Sequence, residues 1–306
     1  MNIYTIIVTY NGKHWMDYCL RSLTTSTVPT TPIIVDNGST DGTIDYIQHN
    51  YPNAILIQQT QNLGFGQANN IGIKYALEHG ATHILLLNQD AAILQDTLEI
   101  LLNYDDGQHL LTPIHLNGNG SDVDDNFYRN TILDSISNDI TKDVILRKEL
   151  EETYPITYVN AACWLLPTDI IRRVGGFNPL FFQYGEDNNY IHRLHYHHFG
   201  IRLVTKTIVF HDREKHGHEN IYQKGYIYRK LLLNQTNINL AFAKRFNMRH
   251  KICLQEIGHA ILHHYFIACI SETIGALCKI VQQSSLIRNS RKEEVQDNGA
   301  WLNYEL

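Results

Sequence analysis

Short apolar runs alternate with amphipathic stretches through the N-terminal part of the chain. Residues 3–8 read as a strand, 14–26 as a helix, 32–36 as a strand, 41–50 as a helix and Ala54-Ile55-Leu56-Ile57 as a third strand. From Gly66 to Glu78, Ala68, Ile71, Tyr75 and Ala76 or Leu77 recur at helical spacing, with Gly80 as a stop before a fourth strand at 83–87. The alternation predicts βαβ units, in which parallel strands are joined by helical crossovers.

After Ile93 the pattern loosens. Asn117-Gly118-Asn119-Gly120-Ser121-Asp122 reads as an exposed loop, and residues 123–155 as decoration of the sheet. Strand-like composition returns from Tyr158 to Pro167, followed by a short helix that stops at Gly175-Gly176 and a polar cluster at 184–189. From Gly225 onward the chain reads as helical over 225–245 and 249–282, ending in a polar, charged stretch. The expected organisation is a domain over 1–224, with halves of about 1–95 and 96–224, and a helical extension over 225–306 that either covers the core or makes an acceptor or subunit contact.

Composition narrows the function classes. The 306 residues, 43% of them hydrophobic, suffice for a large core. The 25 basic and 31 acidic side chains give a formal charge of -6 and no broad cationic field, which argues against nucleic acid as a partner. The five cysteines, Cys19, Cys163, Cys253, Cys269 and Cys278, contain no CxxC pair and fit core thiols in a reducing compartment. Met1 leads almost directly into the first strand with no secretion-signal pattern, so a cytoplasmic location is expected. The apolar stretch Ala260–Ile270, interrupted by His263 and His264, is too short for an ordinary spanning helix and leaves open a shallow contact at the inner membrane face.

Two predicted strands end on a carboxylate, at Asp36 and, after Asn88-Gln89, at Asp90. In an open α/β sheet, ligands bind beyond the carboxyl ends of the strands, so the two acids predict one polar crevice. Acidic residues are also ordinary turn formers, and the coincidence alone carries no chemistry. The Gly64-x-Gly66 run follows the third strand and lacks the GxGxxG spacing, so it is no dinucleotide fingerprint.

Several motifs occur in order: Val8-Thr9-Tyr10-Asn11, Val35 to Thr43 (VDNGSTDGT), Asn62 to Asn70 (NLGFGQANN), Leu87-Asn88-Gln89-Asp90, Tyr184-Gly185-Glu186-Asp187 and His211. In these the chain resembles inverting nucleotide-sugar glycosyltransferases of family two, especially bacterial rhamnosyltransferase-like members, over about residues 1–215. The resemblance implies an α/β GT-A fold: a mainly parallel central sheet flanked by helices, here with the C-terminal helical extension. It implies that Thr9, Tyr10 and Asn11 line the nucleotide, that Asp36 accepts from the base imide, and that Asn69 approaches the nucleotide. A carboxylate is a strong acceptor for such an N–H. Asp41 suits a helix cap as well as a ribose contact, and Asn70 a helix start as well as the nucleotide. Asn88 stands where the family has the first acid of DxD. Asp90 remains the expected ligand of an Mg²⁺ or Mn²⁺ ion on the donor diphosphate, with His211 as a second.

Inversion needs a base opposite the leaving diphosphate. The family's ED motif maps onto Glu186-Asp187, with Asp187 the expected base and Glu186 a second catalytic or acceptor-orienting acid. Asn160 and Trp164 fall where relatives shape the acceptor side, by a hydrogen bond and by stacking; for Trp164 core packing is an equal reading. Phe181, Phe182 and Tyr184 would form an aromatic rim. Arg193 fits a diphosphate or acceptor contact, or a solvated helix face. His192, His195, His197 and His198 show no tetrahedral ligand pattern, and of His211, His216 and His218, close enough in sequence to share a loop, only His211 has a motif-based reason to enter the donor site.

The expected activity is transfer of a sugar, with rhamnose from dTDP-rhamnose the narrowest choice, to a saccharide or lipid-linked saccharide in cell-surface polysaccharide synthesis. A UDP-hexose-dependent enzyme is the alternative, and a non-catalytic carbohydrate-binding protein a more distant one, prompted by Asn88. The apolar C-terminal helices also suggest a homodimer or peripheral membrane contact.

Overall fold

In the computed structural model, which describes residues 1–133, 139–213, 225–262 and 266–302, the alternation becomes a nine-stranded sheet. The elements β1 (Ile3–Thr9), α1 (Lys13–Thr24), β2 (Thr31–Asp36), α2 (Thr43–Asn50), β3 (Ile55–Gln58), α3 (Phe65–Glu78) and β4 (His83–Leu87) lie close to their expected bounds. Strands β1, β2, β3 and β4 pair in parallel, and β1, β4 and most of β2 are buried on both faces of the sheet, while β3 forms the half-buried edge. Ile6, Ile33, Val35, Ile84 and Leu86 face one core, while Ile7, Ile34, Leu85 and Leu87 face the other. That two-sided burial is why these strands are continuous apolar runs rather than polar-apolar alternations.

The middle of the chain extends the same sheet. It comprises β5 (Ala91–Ile93), α4 (Thr97–Asn103), β6 (His109–Asn117), α5 (Asp125–Phe127) running into a π turn at Tyr128–Leu133, and α6 (Asp139–Ile145). There follow β7 (Thr153–Ile156), β8 (Cys163–Pro167), α7 (Thr168–Val174), α8 (Glu186–Tyr196) and β9 (Gly200–His211). The strand order is β3-β2-β1-β4-β8-β6-β9-β5, with β7 also on β9. Because β8 runs antiparallel to β4, with Leu87 opposite Cys163, the residues before β8 meet the carboxyl end of β4. Because β5 runs antiparallel to β9, with Ala91 opposite His211, the end of β9 meets the same edge. One antiparallel reversal on each side thus gathers distant segments at the mouth of the parallel strands.

The C-terminal segment contains α9 (Tyr226–Thr236), α10 (Phe242–Leu262), α11 (Phe266–Gln282) and α12 (Ser284–Glu294). Residues Ile227, Leu231 and Leu232 of α9 share a core with Ala260 of α10, Cys269, Ala276 and Ile280 of α11 and Ile287 of α12. The charged terminal stretch is no loose tail. Glu294 is fully buried and its Oε1 accepts from Asn178 Nδ2 at 2.7 Å and Asn189 Nδ2 at 2.9 Å, while Leu302 packs in the main core. Asn189 Oδ1 in turn accepts from Arg193 Nε at 3.2 Å, so α12 is tied to α8 through one buried polar chain. The histidines His263 and His264, and His216 and His218, lie outside the described residues. No helix among the described residues is long and apolar enough to cross a membrane.

Candidate active site

A cleft of about 1480 Å³ opens at the carboxyl end of β1 and β4. Its walls include Tyr10 and Asn11 after β1, Asn37 after β2, Gly64 at the start of α3, Asn88, Gln89 and Asp90 after β4, and Asn160 before β8. Glu186 and Asp187 at the start of α8, His211 and Arg213 at the end of β9, and Arg229 on α9 complete it. Most of the sequence-chosen residues therefore come together, although they span the whole domain.

On the β1 side, Thr9 is buried and donates its Oγ1 hydrogen to Gln89 Oε1 at 2.8 Å, and Tyr10 N–H donates to the same oxygen at 3.0 Å. Gln89 thus ties β1 to β4. A Cβ on Gly12 would sit 2.2 Å from that Gln89 oxygen, so the tie requires glycine there. The Thr9 side chain thus turns into the protein, and Tyr10 and Asn11 are the residues on the wall. Asn11 Oδ1 accepts from Thr40 N–H at 2.8 Å, holding the β2 loop against the β1 end.

Asp36 is buried beneath that loop. Its Oδ2 accepts from Gly38 and Ser39 N–H, both at 3.0 Å, whereas Oδ1 is buried with no partner among the described residues. An unpaired carboxylate oxygen in such a place is costly unless a donor reaches it. Asp41 acts as a cap: Oδ1 accepts from Thr43 N–H at 3.0 Å and Oδ2 from Lys13 N–H at 3.1 Å, joining the starts of α2 and α1. Asn69 is buried on α3 with Nδ2 donating to Phe65 O at 3.0 Å, and Asn70 bridges to Phe177. Neither lines the cleft, because the face of α3 that carries them packs inward.

At the floor, His211 sits between two carboxylates. Nε2 lies 3.3 Å from Asp90 Oδ1 and Nδ1 lies 3.4 Å from Asp124 Oδ2. Burial works against a charged imidazole here, yet Asp124 and Asp90 together raise its pKa above the ordinary value. Asn88 Nδ2 is 3.3 Å from His211 Nε2, and Asn88 Oδ1 is buried without a partner among the described residues. Asp124 Oδ2 also accepts from Arg213 Nε at 2.8 Å, and these contacts hold its carboxyl well below the usual range despite burial. Asp124 and Arg213 had no motif to reveal them; Asp124 follows a loop of Asn and Gly residues and reaches the site only because β6 and β9 pair.

Among the described residues, no group of three or more His, Cys, Asp or Glu is arranged to enclose a metal ion. Asp90 and His211 Nε2 nevertheless meet on the floor, with Asp124 standing behind the imidazole, as carboxylates do behind metal-binding histidines. Such a partial set fits a divalent cation whose remaining ligands are phosphate oxygens and water.

Across the cleft, α8 begins with two acids at its amino end. Tyr158 Oη donates to Asp187 Oδ2 at 2.7 Å, and Asn188 N–H donates to Oδ1 at 2.8 Å. Burial raises the Asp187 pKa, with these hydrogen bonds holding part of the rise in check. Burial and the neighbouring Asp187 charge push Glu186 up to about 8, and its Oε2 has no partner among the described residues. Glu186 thus favours its neutral form beside Asp187, and two acids that resist a shared double charge suit proton acceptance beside a hydrogen-bond donor. Gly64 sets the opposite lip. A Cβ there would meet Phe182 O at 1.9 Å, so its absence lets the α3 start close against the loop leading to α8.

The acceptor side is only partly as expected. Asn160 lines the cleft with a buried, unpartnered Oδ1. Trp164 does not: it is fully buried, 6.2 Å from the Phe177 ring and 5.6 Å from the Tyr190 ring. The correction follows from β8 being a central strand whose side chains all enter one core or the other, and truncating such a tryptophan typically costs about 3–5 kcal/mol. Phe181 is also buried, whereas Tyr184 reaches the cleft. Arg193 is neither a ligand contact nor a solvated residue. It lies fully buried between Tyr190 and Trp301, donating from Nη1 to Val174 O and Nη2 to Gly176 O. Of the clustered histidines, His192 and His195 line the cleft, with burial pushing His192 down to about 4, and His197 binds Glu294 O at 2.9 Å.

Comparison with known proteins agrees with this geometry. The model of the family described as glycosyl transferase family 2 matches residues 4–174. A dTDP-rhamnosyl transferase, RfbF of Shigella flexneri, is 31% identical over 108 residues, covering 35% of this chain and 36% of that protein. The low-salt glycan biosynthesis hexosyltransferase Agl10 of Haloferax volcanii is 24% identical over 165 residues, 53% of this chain and 52% of that one. The N-acetylglucosaminyl-diphospho-decaprenol L-rhamnosyltransferase of Mycobacterium tuberculosis is 39% identical over 66 residues, 21% and 22% of the two chains. These matches thus span about half or less of the relatives' length. Among solved structures, S. aureus TarS 1-349 with UDP-GlcNAc superposes with a TM-score of 0.62 at 16% identity, covering 96% of this chain and 88% of that one. The mannosyltransferase PcManGT of Pyrobaculum calidifontis with GDP-Man and Mn2+ gives 0.56 at 15% identity, over 95% and 79%. The architecture is the GT-A fold, with the expected mostly parallel sheet and C-terminal helices.

Proposed function

The chain belongs to glycosyl transferase family 2, and on that premise we propose that it transfers a hexosyl group, with inversion, from a nucleotide-diphosphate sugar to a saccharide or lipid-linked saccharide. The observation that carries the reading is the pairing of a Tyr158-anchored Asp187 on one wall with the Asp90–His211 contact on the floor. Asp36 Oδ1 is the acceptor for an N–H on the base, and Tyr10 and Asn11 flank the nucleotide. Thr9 acts on the pocket only through Gln89, which it holds in place.

A divalent cation, Mn²⁺ or Mg²⁺, would be held by Asp90 and His211, and when bound it neutralises charge on the departing diphosphate. Asp187 takes the proton from the acceptor hydroxyl as that oxygen attacks the anomeric carbon. Tyr158 holds the carboxylate in position, and neutral Glu186 donates a hydrogen bond to the acceptor, with Asn160 as a further contact. Retention of these groups disfavours the non-catalytic binding reading.

UDP-hexoses are the first donors to test, supported by the fold-level likeness over nearly the whole chain to a protein solved with UDP-GlcNAc. The dTDP-rhamnose reading stands second, favoured by the partial match to RfbF. A mass-spectrometric screen of UDP-, dTDP- and GDP-sugars with pooled saccharide acceptors, followed by NMR of the anomeric configuration in the product, tests the proposal. Transfer with inverted configuration supports it; saturable donor binding without turnover on any acceptor, or product of retained configuration, overturns it. Residues of α9 line part of the cleft, and a peripheral membrane position and cell-surface polysaccharide synthesis are the setting we propose for such an acceptor.

A further inference from the structure

The helices α10 and α11 cover α9 with their inner faces, and their outer faces differ in kind from the rest of the surface. On α10, Phe246, Leu254 and Ile261 are exposed at 44%, 69% and 56%, and Phe242 at the amino end at 75%. Phe242, Phe246, Leu254 and Ile261 follow one another at four, eight and seven residues, about one, two and two helical turns, so they lie along one side of the helix. Lys244 and Lys251, also exposed, stand seven residues apart beside it. From Phe242 to Gln255 there are four Lys or Arg, namely Lys244, Arg245, Arg249 and Lys251, and no Asp or Glu. The Arg249 guanidinium lies 4.8 Å over the Phe246 ring and the Arg245 guanidinium 5.9 Å over Phe242, so apolar and cationic groups are interleaved. The exposed side of α11 continues the apolar character with Ala268, Ile274, Gly275, Cys278 and Val281. Its exposed lysine, Lys279, is directed over the Tyr228 ring of α9, 3.9 Å from its centre.

We propose that the outer face of α10 and α11 is a docking surface for an anionic phospholipid bilayer. The chain as a whole carries a charge of -6, so four cations with no intervening acid are a local reversal of sign. Charge complementarity points to a negative partner, and the uncharged apolar stripe beside the cations suits insertion to the headgroup boundary, with lysine stems snorkelling outward. A second copy of this chain would bring the same cations against one another. The helix α9 packs on both docking helices and lines the cleft through Tyr226, Arg229, Lys230 and Leu233, so a bound membrane would stand on the cleft's acceptor side. The inference does not require the transfer reaction, and its binding test is run without donor.

The test is flotation of the full chain with vesicles of phosphatidylcholine alone and of equimolar phosphatidylcholine and phosphatidylglycerol, with sedimentation velocity in parallel. The native protein floats with the anionic vesicles and is released by high salt. Lys244→Ala and Lys251→Ala each lower the partition coefficient about fivefold, and roughly thirtyfold together. Leu254→Ser with Ile274→Ser lowers it further, while donor turnover and the thermal melt stay at native values in every variant. No binding to anionic vesicles, equal binding to neutral ones, or binding untouched by these substitutions overturns the proposal. A native dimer that Leu254→Ser with Ile274→Ser dissociates also overturns it, since the face would then be a contact between copies.

Discussion

Tyr158 Oη donates to Asp187 Oδ2 at 2.7 Å, joining the segment before β8 to the first turn of α8. The same contact raises the tyrosine's own pKa, since burial and the adjacent Asp187 charge both oppose phenolate, so Tyr158 is a fixed donor at any working pH. A base held by a permanent donor keeps its orientation but loses some proton affinity.

That balance predicts the behaviour of Tyr158→Phe. Removing a hydrogen bond to the charged form raises the Asp187 pKa further, so the acid limb of the rate profile moves to higher pH. With a bond to a charged group worth about 1.5–3 kcal/mol, turnover near neutrality falls about tenfold or more. A pH–rate profile of kcat/KM checks it, and an unmoved acid limb would show that Tyr158 does not act on the base.

Glu186 has the opposite consequence for stability. Its pKa in the folded protein is about 8, above that of an ordinary glutamate, because burial and Asp187 disfavour its charge. The neutral form's stabilising contribution is complete below the ordinary glutamate value and is lost as pH rises through about 8. Glu186→Gln cannot ionise, so its Tm advantage over the native chain grows between pH 6 and pH 9, on the order of the range set by that shift. Melts that stay parallel over that interval would mean that Glu186 titrates normally.

The floor predicts a metal phenotype. Asp90→Asn and His211→Ala each weaken Mn²⁺ binding, measured by electron paramagnetic resonance in the presence of a nucleoside diphosphate, by about 10- to 100-fold or more. Chelation abolishes turnover and Mn²⁺ or Mg²⁺ restores it. Full turnover in excess chelator would remove the cation from the account.

The link from α12 to α8 is a stability element. Arg193→Ala leaves Glu294 buried without the cation that compensates it through Asn189, a loss of about 3–5 kcal/mol, read by urea denaturation. A loss under about 1 kcal/mol would assign the network a surface-like value.

The parallel half of the fold was legible because Ile6, Ile33 and Ile84 belong to strands buried on both faces, which leaves an unbroken apolar run in each. β9 was not legible as a strand, since Arg202 and Lys206 interrupt it and its pairing with β6 shifts register between Pro113 and Ile114. In the site, motif position located Asp90, Asp187 and His211, but direction of the side chain was not in the pattern: Thr9 and Asn69 turn inward, and Trp164 enters the core. Gln89, Asp124 and Arg213 escaped because their role depends on the pairing of strands distant in sequence, β1 with β4 and β9 with β6 and β5. Arg193 escaped because what covers it, Trp301 and Glu294, comes from the last residues of the chain.

The most direct measurement is sugar transfer and donor hydrolysis by the native chain and by Asp187→Asn, with Mn²⁺ and the donor that the screen selects. A positioned general base contributes about 10²- to 10⁴-fold, so the variant should retain donor binding and its native melt while turnover falls by that factor. Native-level turnover in Asp187→Asn would contradict the account, because no transfer could then depend on the carboxylate that Tyr158 holds at the mouth of the cleft.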